Sequence, residues 1–318
     1  MSSQVYEFFD VSLVSVEAYL DVIKDWDLDA IQLSNGVYTS HHQFINFSKL
    51  HIGKRNMSCA TAHHGVMLGE AFYFIFPQNN LSIQVNNTQL DVSDLVIIAP
   101  GEDATSVFPS NFEAIVLAIP VPILIEYLGE STVNYLALNC ETVRHGKIET
   151  PDLIEKKQHI ANLVKTALKF HHGMSVQALL DVQESILNAA TEILQKVKAN
   201  KSQIPTSNTR LQIVLRALNY INSTQNKFYT VVEVAKASHC SVRSLEYAFK
   251  DMLGMSPKQY FVLWRLQIIN NHLLKNPQML IKDVVTQYGV VNLGRFSKDY
   301  YNFFGEYPSE TKLKAKEF

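Results

Sequence analysis

The C-terminal part of the chain contains one sequence pattern twice: VVEVAKASHCSVRSLEYAFKDMLGMSP (residues 231–257) and IKDVVTQYGVVNLGRFSKDYYNFFGEYP (residues 281–308). Each copy predicts an apolar-periodic helix, a short turn and a second helix with cationic and polar residues, followed by a glycine and a proline. A repeated supersecondary unit defines an architecture. Two helix-turn-helix units in tandem predict a protein that contacts two successive stretches of DNA groove.

Capping residues predict where the helices of the first copy begin. Thr230 and Glu233 form a capping box before its first helix, and Ser241 caps its second helix. Apolar residues at helical spacing bury one face of the second helix, and the polar residues remain for DNA, where arginine pairs with guanine and glutamate accepts from cytosine. The candidate DNA-binding residues of this copy are Arg243, Ser244, Glu246, Tyr247 and Lys250.

A connecting helix is predicted between the two copies, from Ser256-Pro257 to about Lys275. About eighteen residues at roughly 1.5 Å each span close to 27 Å, comparable to the roughly 34 Å repeat of B-DNA. In the second copy Gly289 lies in the turn, and Asn292 is more often a helix cap than a base-reading residue. The candidate DNA-binding residues of this copy are Asn292, Gly294, Arg295, Ser297 and Lys298.

The net charge of −2 conceals an uneven distribution. From Thr209 onward the chain has 15 Lys and Arg residues against 8 Asp and Glu, a balance of +7, and the preceding residues have a balance of −9. Such asymmetry indicates a nucleic-acid-binding segment joined to one that does not bind nucleic acid. A solvated basic surface is the alternative, but the helix-turn-helix pattern in the same segment favours DNA binding.

The quoted residues resemble the AraC/XylS family of bacterial transcription regulators. CSVRSLEYAFKDMLGMSPKQYFVLWRL (residues 240–266) is similar to the family's first unit and connector. GVVNLGRFSKDYYNFFGEYPSET (residues 289–311) is similar to its second unit, in particular in the branch that contains the ethanolamine-operon activator. The strong resemblance covers residues 209–314, and the N-terminal half shares the layout and weak similarity around WDLDAIQLSNGVY and LVIIAPG.

The resemblance implies an α+β fold with an N-terminal cupin-like β-barrel, a helical dimerisation segment and a C-terminal all-α domain with two helix-turn-helix motifs. The residue pattern itself predicts strands over residues 31–120, with a hairpin at Asn86-Asn87, and leaves a barrel and a sandwich open. A helix capped by Ser12 or Ser15 precedes these strands.

Helices are predicted from Leu153 to Phe170 and from Val176 to Lys198, with a start signal at Thr150-Pro151-Asp152. The second helix has a broad apolar stripe that suits a dimer seam or packing on the chain's own strands. The expected domains are 1–150 (effector-binding), 151–198 (dimerisation), 199–208 (linker) and 209–318 (DNA-binding).

Three positions depart from the family pattern. His239 stands where the family has a turn glycine, although histidine is among the residues that tolerate positive φ. Val285 replaces a small alanine at a contact between helices, which predicts looser packing in the second unit. Val290-Val291-Asn292 replaces an aromatic-rich triplet, so base preference by the second unit is the property most affected.

Paired histidines in the N-terminal half raise the alternative of a cupin-like small-molecule-binding protein or metal enzyme with an accessory helical domain. Neighbouring residues on a strand point to opposite faces, so neither His41-His42 nor His63-His64 directs both rings at one ion. We therefore predict no catalytic residues, no metal, no cofactor and no enzyme activity. Four aromatic residues suit an effector pocket or, as the default, a core face: Tyr38, Phe72, Phe74 and Phe76.

The sequence thus predicts an effector-responsive, sequence-specific DNA-binding transcription regulator, more often an activator by family analogy. The expected partners are double-stranded operator or promoter DNA, a small-molecule effector, RNA polymerase and a second copy of the chain. Three scattered cysteines without CxxC spacing, no membrane-length apolar run and no secretory signal favour the cytoplasm. The effector-binding residues are not assigned.

Overall fold

The computed structural model describes residues 6–23, 26–86, 88–137, 144–196, 209–223 and 229–316. The predicted linker, residues 199–208, lies outside the described residues, as does Asn87 of the predicted hairpin turn. The remaining elements follow the predicted order of strands first and helices afterwards, which confirms the α+β class.

The N-terminal strands pair antiparallel throughout the described part of the chain. Asn86, with a φ of 44°, turns the predicted hairpin between β7 and β8. The strands are β1 (Tyr6–Leu13), β2 (Trp26–Gln32), β3 (Ser40–Phe47), β4 (His51–Met57), β5 (Thr61–Met67), β6 (Ala71–Pro77), β7 (Ile83–Val85), β8 (Thr88–Leu90), β9 (Asp94–Ile98), β10 (Asp103–Phe108), β11 (Phe112–Pro120) and β12 (Arg144–Lys147).

These strands form two sheets rather than the closed cupin-like barrel that the resemblance implies. One sheet has the order β1-β3-β4-β11-β6-β9-β12, and the other has the order β2-β5-β10-β7-β8. Among the described residues no ladder joins the two sheets, and the short strand β8 lies at an edge of the second sheet. The open sandwich, which the residue pattern alone had left as an alternative, describes the arrangement better.

The strand β1 was not predicted, and Ser12 lies within it rather than capping a helix. As an edge strand it exposes much of both faces, so its sequence lacks the clean alternation that identifies a half-buried strand. The helix that follows, α1 (Val16–Val22), is capped by Ser15, whose hydroxyl accepts from the amide of Ala18.

Helices α2 (Val121–Leu128), α3 (Glu130–Ala137), α4 (Pro151–Phe170) and α5 (Val176–Lys196) cover the first sheet. The predicted cap at Thr150 is present, since its side chain accepts from the amide of Leu153. The apolar stripe of α5 is buried in one core with the sheet, so it packs within its own chain. That core includes Leu179, Ile186, Leu187, Ile193, Leu194, Phe72, Phe74 and Phe76.

The C-terminal part is all helical over its described residues, as predicted. The capping box at Thr230 and Glu233 is present, and Ser241, Ser256 and Asn292 each cap a helix. The helices are α6 (Thr209–Ser223), α7 (Val231–Ala237), α8 (Val242–Leu253), α9 (Pro257–Lys275), α10 (Ile281–Gln287), α11 (Leu293–Phe304) and α12 (Pro308–Lys314).

The two helix-turn-helix units use the same backbone turn. His239 after α7 has a φ of 53°, and Gly289 after α10 has a φ of 68°. In both turns the next amide donates to the carbonyl five residues earlier, the helix-ending bond of a left-handed C-terminal motif. The two bonds run from Cys240 to Ala235 (3.0 Å) and from Val290 to Val285 (3.1 Å).

The C-terminal helices also contact the N-terminal sandwich. The Gln267 side chain on α9 accepts from the backbone amide of Gln32 at 2.7 Å and donates to the Gln32 carbonyl at 3.1 Å. The amide of Gly36 donates to the carbonyl of Phe303 at 2.7 Å. Ile31 of β2 is buried in the same core as α6, α8 and the start of α9. Polar and apolar contacts therefore join the two parts of the chain.

Substitution of His239 tests the turn geometry. We expect His239→Val to lower the free energy of unfolding by about 1–2 kcal/mol relative to His239→Gly, because a β-branched residue is strained at positive φ and glycine is not. Urea denaturation followed by circular dichroism measures the difference. The same pair of substitutions at Lys282, an exposed position of α10, is the control, and equal stability of the two His239 variants would contradict the assignment.

Candidate nucleic-acid interface

The helix α8 presents its predicted polar face outward. Its apolar residues are buried in the first helix-turn-helix core, as predicted: Leu245, Ala248, Phe249 and Leu253. Of the predicted DNA-binding residues, four are exposed, namely Arg243, Glu246, Tyr247 and Lys250, and Ser244 is half-buried. The face is long enough to place several side chains along a major groove.

The side chains of Arg243 and Tyr247 contact each other on this face. The Arg243 guanidinium donates to the Tyr247 hydroxyl at 3.3 Å and lies 5.5 Å from the centre of its ring. The pair lies one helical turn apart, and this packing limits the rotamers of the arginine before it meets any ligand. The hydroxyl of Ser244 contacts the capping hydroxyl of Ser241 at 2.8 Å, at the start of the helix.

The helix α11 shows the corresponding face of the second unit. Gly294, Arg295 and Lys298 are exposed, and Ser297 is half-buried. The Arg295 Nε lies 3.7 Å from a carboxylate oxygen of Asp299, an exposed pair that contributes little to stability. Arg295 and Lys298 are therefore available to a polyanionic partner.

Asn292 caps α11, since its side chain accepts from the Arg295 amide at 2.9 Å. This contact agrees with the expectation that Asn292 is more often a helix cap than a base-reading residue. Its neighbour Val291 is 97% exposed at the entrance of the helix. Apolar side chains that enter the major groove contact the methyl group of thymine, and no sequence motif marks Val291 for such a contact.

The single helix α9 joins both units. Its first turns supply Tyr260 and Phe261 to the core of the first unit, and its later turns supply Leu266, Ile269 and Leu273 to the core of the second unit. It is 19 residues long, begins after the Ser256 cap and ends at Lys275, as predicted. The two recognition helices are therefore held by one continuous rod of about 28 Å.

Comparison with known families identifies the fold of this region. The family model described as "Helix-turn-helix domain" matches residues 234–314. This segment is similar to a helix-turn-helix domain. The matched segment begins in α7 and ends in α12, so both units and the connector between them belong to it.

Several curated relatives are transcription regulators by name. The XylDLEGF operon transcriptional activator 3 of Pseudomonas putida is 24% identical over 227 residues, which cover 70% of this chain and 66% of that protein. The probable thc operon regulatory protein of Rhodococcus erythropolis is 31% identical over 100 residues, which cover 31% of this chain and 30% of that protein. The chain therefore spans less than two thirds of the length of these relatives. The names agree with the predicted AraC/XylS resemblance and with the prediction of a DNA-binding transcription regulator.

Among solved structures, the AraC-like transcriptional activator CuxR is similar, with 12% identity, a TM-score of 0.45, and coverage of 81% of this chain and 94% of that chain. ToxT from Vibrio cholerae O395 aligns with 9% identity and a TM-score of 0.30, over 99% of this chain and 100% of that chain. At these TM-scores the structural similarity is too low to support an argument about a binding site in this chain.

The N-terminal histidines do not form a metal site among the described residues, where no three His, Cys, Asp or Glu side chains are grouped around a common point. His41 contacts Asp10 at 2.6 Å, whereas His42 contacts Ser40 at 3.0 Å on the other face of β3. The four aromatic residues suggested for an effector pocket are buried in core clusters, which was the default prediction: Tyr38, Phe72, Phe74 and Phe76.

Two of these histidines are buried and uncharged at neutral pH. Burial, reinforced by the positive charge of Arg55, lowers the pKa of His42 to about 3 and the pKa of His63 to about 3.

In the described part of the chain, no helix combines the length and apolar character needed to span a bilayer.

Acidification should destabilise the N-terminal sandwich. In the unfolded chain each histidine binds a proton near pH 6.5, but His42 and His63 in the folded chain do so only near pH 3. The free energy of unfolding should therefore decrease as pH falls below about 6.5, by about 1.4 kcal/mol per pH unit for each histidine. Urea denaturation at pH 7, 6 and 5 measures the slope.

The double variant His42→Gln, His63→Gln should have a flatter dependence of unfolding free energy on pH. The exposed His159→Gln is the matched control and should retain the original slope. If the double variant retained the slope of the unmodified protein, the assignment of two buried neutral histidines would be wrong.

Proposed function

We propose that this chain is a sequence-specific DNA-binding transcription regulator that contacts two successive segments of the major groove. The observation that carries the proposal is the pair of helix-turn-helix units with exposed arginine and lysine residues near the start of α8 and along α11, joined by one helix. A nonspecific basic surface does not require such residues on two equivalent helices, whereas tandem recognition helices do.

The charge distribution supports the same function. The segment from Thr209 onward carries a balance of +7, and phosphate contacts from it should supply much of the affinity and make binding strongly salt-dependent. A metal enzyme with an accessory helical domain is not favoured, because neither the family match nor the relatives' names point to one.

The finer features of the regulator belong to the proposal as well. We infer an effector-responsive activator of operator or promoter DNA in the cytoplasm, which works with RNA polymerase and resembles the ethanolamine-operon branch. In this proposal the N-terminal residues 1–150 bind the effector, residues 199–208 link the domains, and a second copy binds through the segment 151–198. Since the stripe of α5 is buried within the chain, such a contact would use the exposed faces of α4 and α5.

Selection of bound sites from genomic fragments with the purified full chain tests the proposed function. We expect a few enriched sites that share a sequence motif and lie upstream of coding regions. Retention of fragments without a shared motif would instead indicate a nonspecific DNA-binding protein, and no retention at low salt would exclude DNA binding.

Removal of the Arg243 side chain tests direct base readout. Arg243→Ala should weaken binding to the selected site by about 1–3 kcal/mol and relax the base preference at one position, if the guanidinium makes a bidentate contact with guanine. Competition binding with single-base variants of the site measures both effects. Lys165→Ala, which removes an exposed positive charge on α4 outside the segment from Thr209 onward, is the control. Unchanged affinity and preference in Arg243→Ala would rule out base contact by this residue.

Removal of the Lys298 side chain tests phosphate contact by the second unit. Lys298→Ala should weaken binding to all sequences by a similar factor and lower the slope of log affinity against log salt by about one. Affinities measured at several salt concentrations report the slope. Lys165→Ala, on the exposed face of α4, removes the same charge outside the helix-turn-helix domain. A sequence-dependent loss in Lys298→Ala would contradict the assignment.

A further inference from the structure

The N-terminal sandwich encloses a cavity of about 400 Å³ between its two sheets and α1, within the range of small-molecule sites. Apolar side chains form most of its wall. They include Phe44, Ile52, Ile75, Ile98, Phe108 and Val116. Phe9 and Val22, which also line the cavity, are 44% and 38% exposed and mark its mouth. The cavity is separate from the helix-turn-helix domain and from every residue proposed above to contact DNA.

One arginine lies in this apolar cavity. Arg55 projects from β4, where it pairs with His42 on β3 and with Ala114 on β11. Its Nη1 donates to the Tyr19 hydroxyl at 3.3 Å, and its guanidinium carbon lies 4.9 Å from the centre of the Phe108 ring. The Nε and Nη2 atoms are buried and have no hydrogen-bond partner among the residues that the structure describes.

A second polar group in the cavity has the same property. The Nε2 atom of His63 is buried without a hydrogen-bond partner in the described part of the chain. Its ring lies 5.2 Å from the ring of Tyr19 and 5.0 Å from that of Phe108, so it flanks the guanidinium of Arg55. Buried polar atoms without partners cost free energy, and three of them on two neighbouring side chains indicate a polar ligand, with acceptors for the two guanidinium atoms.

The positive charge in the cavity indicates that the ligand is negatively charged. Among the lining residues that the structure describes, none is aspartate or glutamate, and Arg55 is permanently positive. A buried guanidinium without a counter-charge is costly, and a carboxylate matches its fork of donors with two parallel bonds. One positive charge balances one negative charge, which favours a monoanion over a phosphate dianion. The apolar wall toward Phe9 and Val22 suits a hydrocarbon or aromatic body.

We propose that this cavity binds a monocarboxylate with an apolar body, with the carboxylate paired to Arg55 and the body directed toward the mouth at Phe9 and Val22. His63 contributes a polar contact beside the guanidinium. Tyr19, whose hydroxyl contacts Nη1, positions Arg55 and does not carry the charge itself. The proposal rests on the effector-binding role proposed above for residues 1–150, but not on DNA binding, because the cavity lies wholly within the N-terminal sandwich.

Isothermal titration calorimetry with matched probes tests this site in the full-length protein. The probes are octanoate and 2-naphthoate, each compared with the alcohol of the same skeleton, 1-octanol and 2-naphthylmethanol. At least one carboxylate should bind about ten- to a hundredfold more tightly than its alcohol, since a charge-assisted pair is lost in the alcohol. Absence of binding by both carboxylates, or equal binding of acid and alcohol, would overturn the proposal.

Arg55→Met removes the charge and keeps the length of the side chain. It should reduce the preference for carboxylate over alcohol to about one, and Arg55→Lys should keep part of it, because the positive charge remains. Lys54→Met is the matched control, since Lys54 is the neighbouring residue on β4 and pairs with Glu113 at 2.5 Å, outside the cavity. A preference retained in Arg55→Met, or lost in Lys54→Met, would contradict the assignment.

A measurement on the unmodified protein covers the case in which Arg55→Met does not fold. The imidazole ¹H–¹⁵N resonances of His42 and His63 should shift when the tighter carboxylate is added, whereas those of the exposed His159 should not. A carboxylate that binds without moving the His42 and His63 resonances would bind elsewhere and would overturn the proposal.

Discussion

The helix α9 is the constraint on which the arrangement of the C-terminal half depends. Sharp kinks in helices occur at prolines, glycines or bulges, and α9 has no proline or glycine after its first residue, so its 19 residues fix the separation of the two cores that pack against it. Tyr260 and Phe261 attach the first unit near its start, and Ile269 and Leu273 attach the second unit near its end. The proposed reading of two groove segments follows from this rigid separation rather than from either recognition helix alone.

The same helix ties the DNA-binding part to the sandwich. Gln267 lies between the two attachment points and makes both hydrogen bonds to the backbone of Gln32, at the end of β2. The strand β2 pairs with β5, which carries His63 in the wall of the proposed carboxylate site. His63 also lines a smaller cavity of about 100 Å³ that borders α6 and α9. The proposed ligand would therefore bind one strand away from the surface on which α9 rests.

Sequence reasoning predicted the helical half well because its signals are local. Capping residues such as Thr230 and Ser256, and apolar residues at helical spacing, determine where these helices begin and which face is buried. It also anticipated the left-handed backbone of His239. The faces of α8 and α11 were predicted for the same reason, except that Ser244 and Ser297 are half-buried.

The N-terminal half was predicted less completely because its defining contacts are long-range. Two open sheets rather than a closed barrel, and the edge strand β1, depend on pairings between distant segments that no local pattern shows. Arg55 illustrates the same limit. In sequence it is an ordinary cation between Lys54 and Asn56, and only the pairing of β4 with β3 and β11 places its guanidinium among apolar side chains.

The claim that α9 rigidly spaces two DNA-reading units is tested most directly by the helical phasing of a selected binding site. The measurement is the affinity of the full-length protein for that site with about five base pairs, half a helical turn, inserted between the two contacted segments. We predict a loss of affinity of about tenfold or more, because α9 cannot follow the second segment to the opposite face of the DNA. Unchanged affinity for the lengthened site would contradict it.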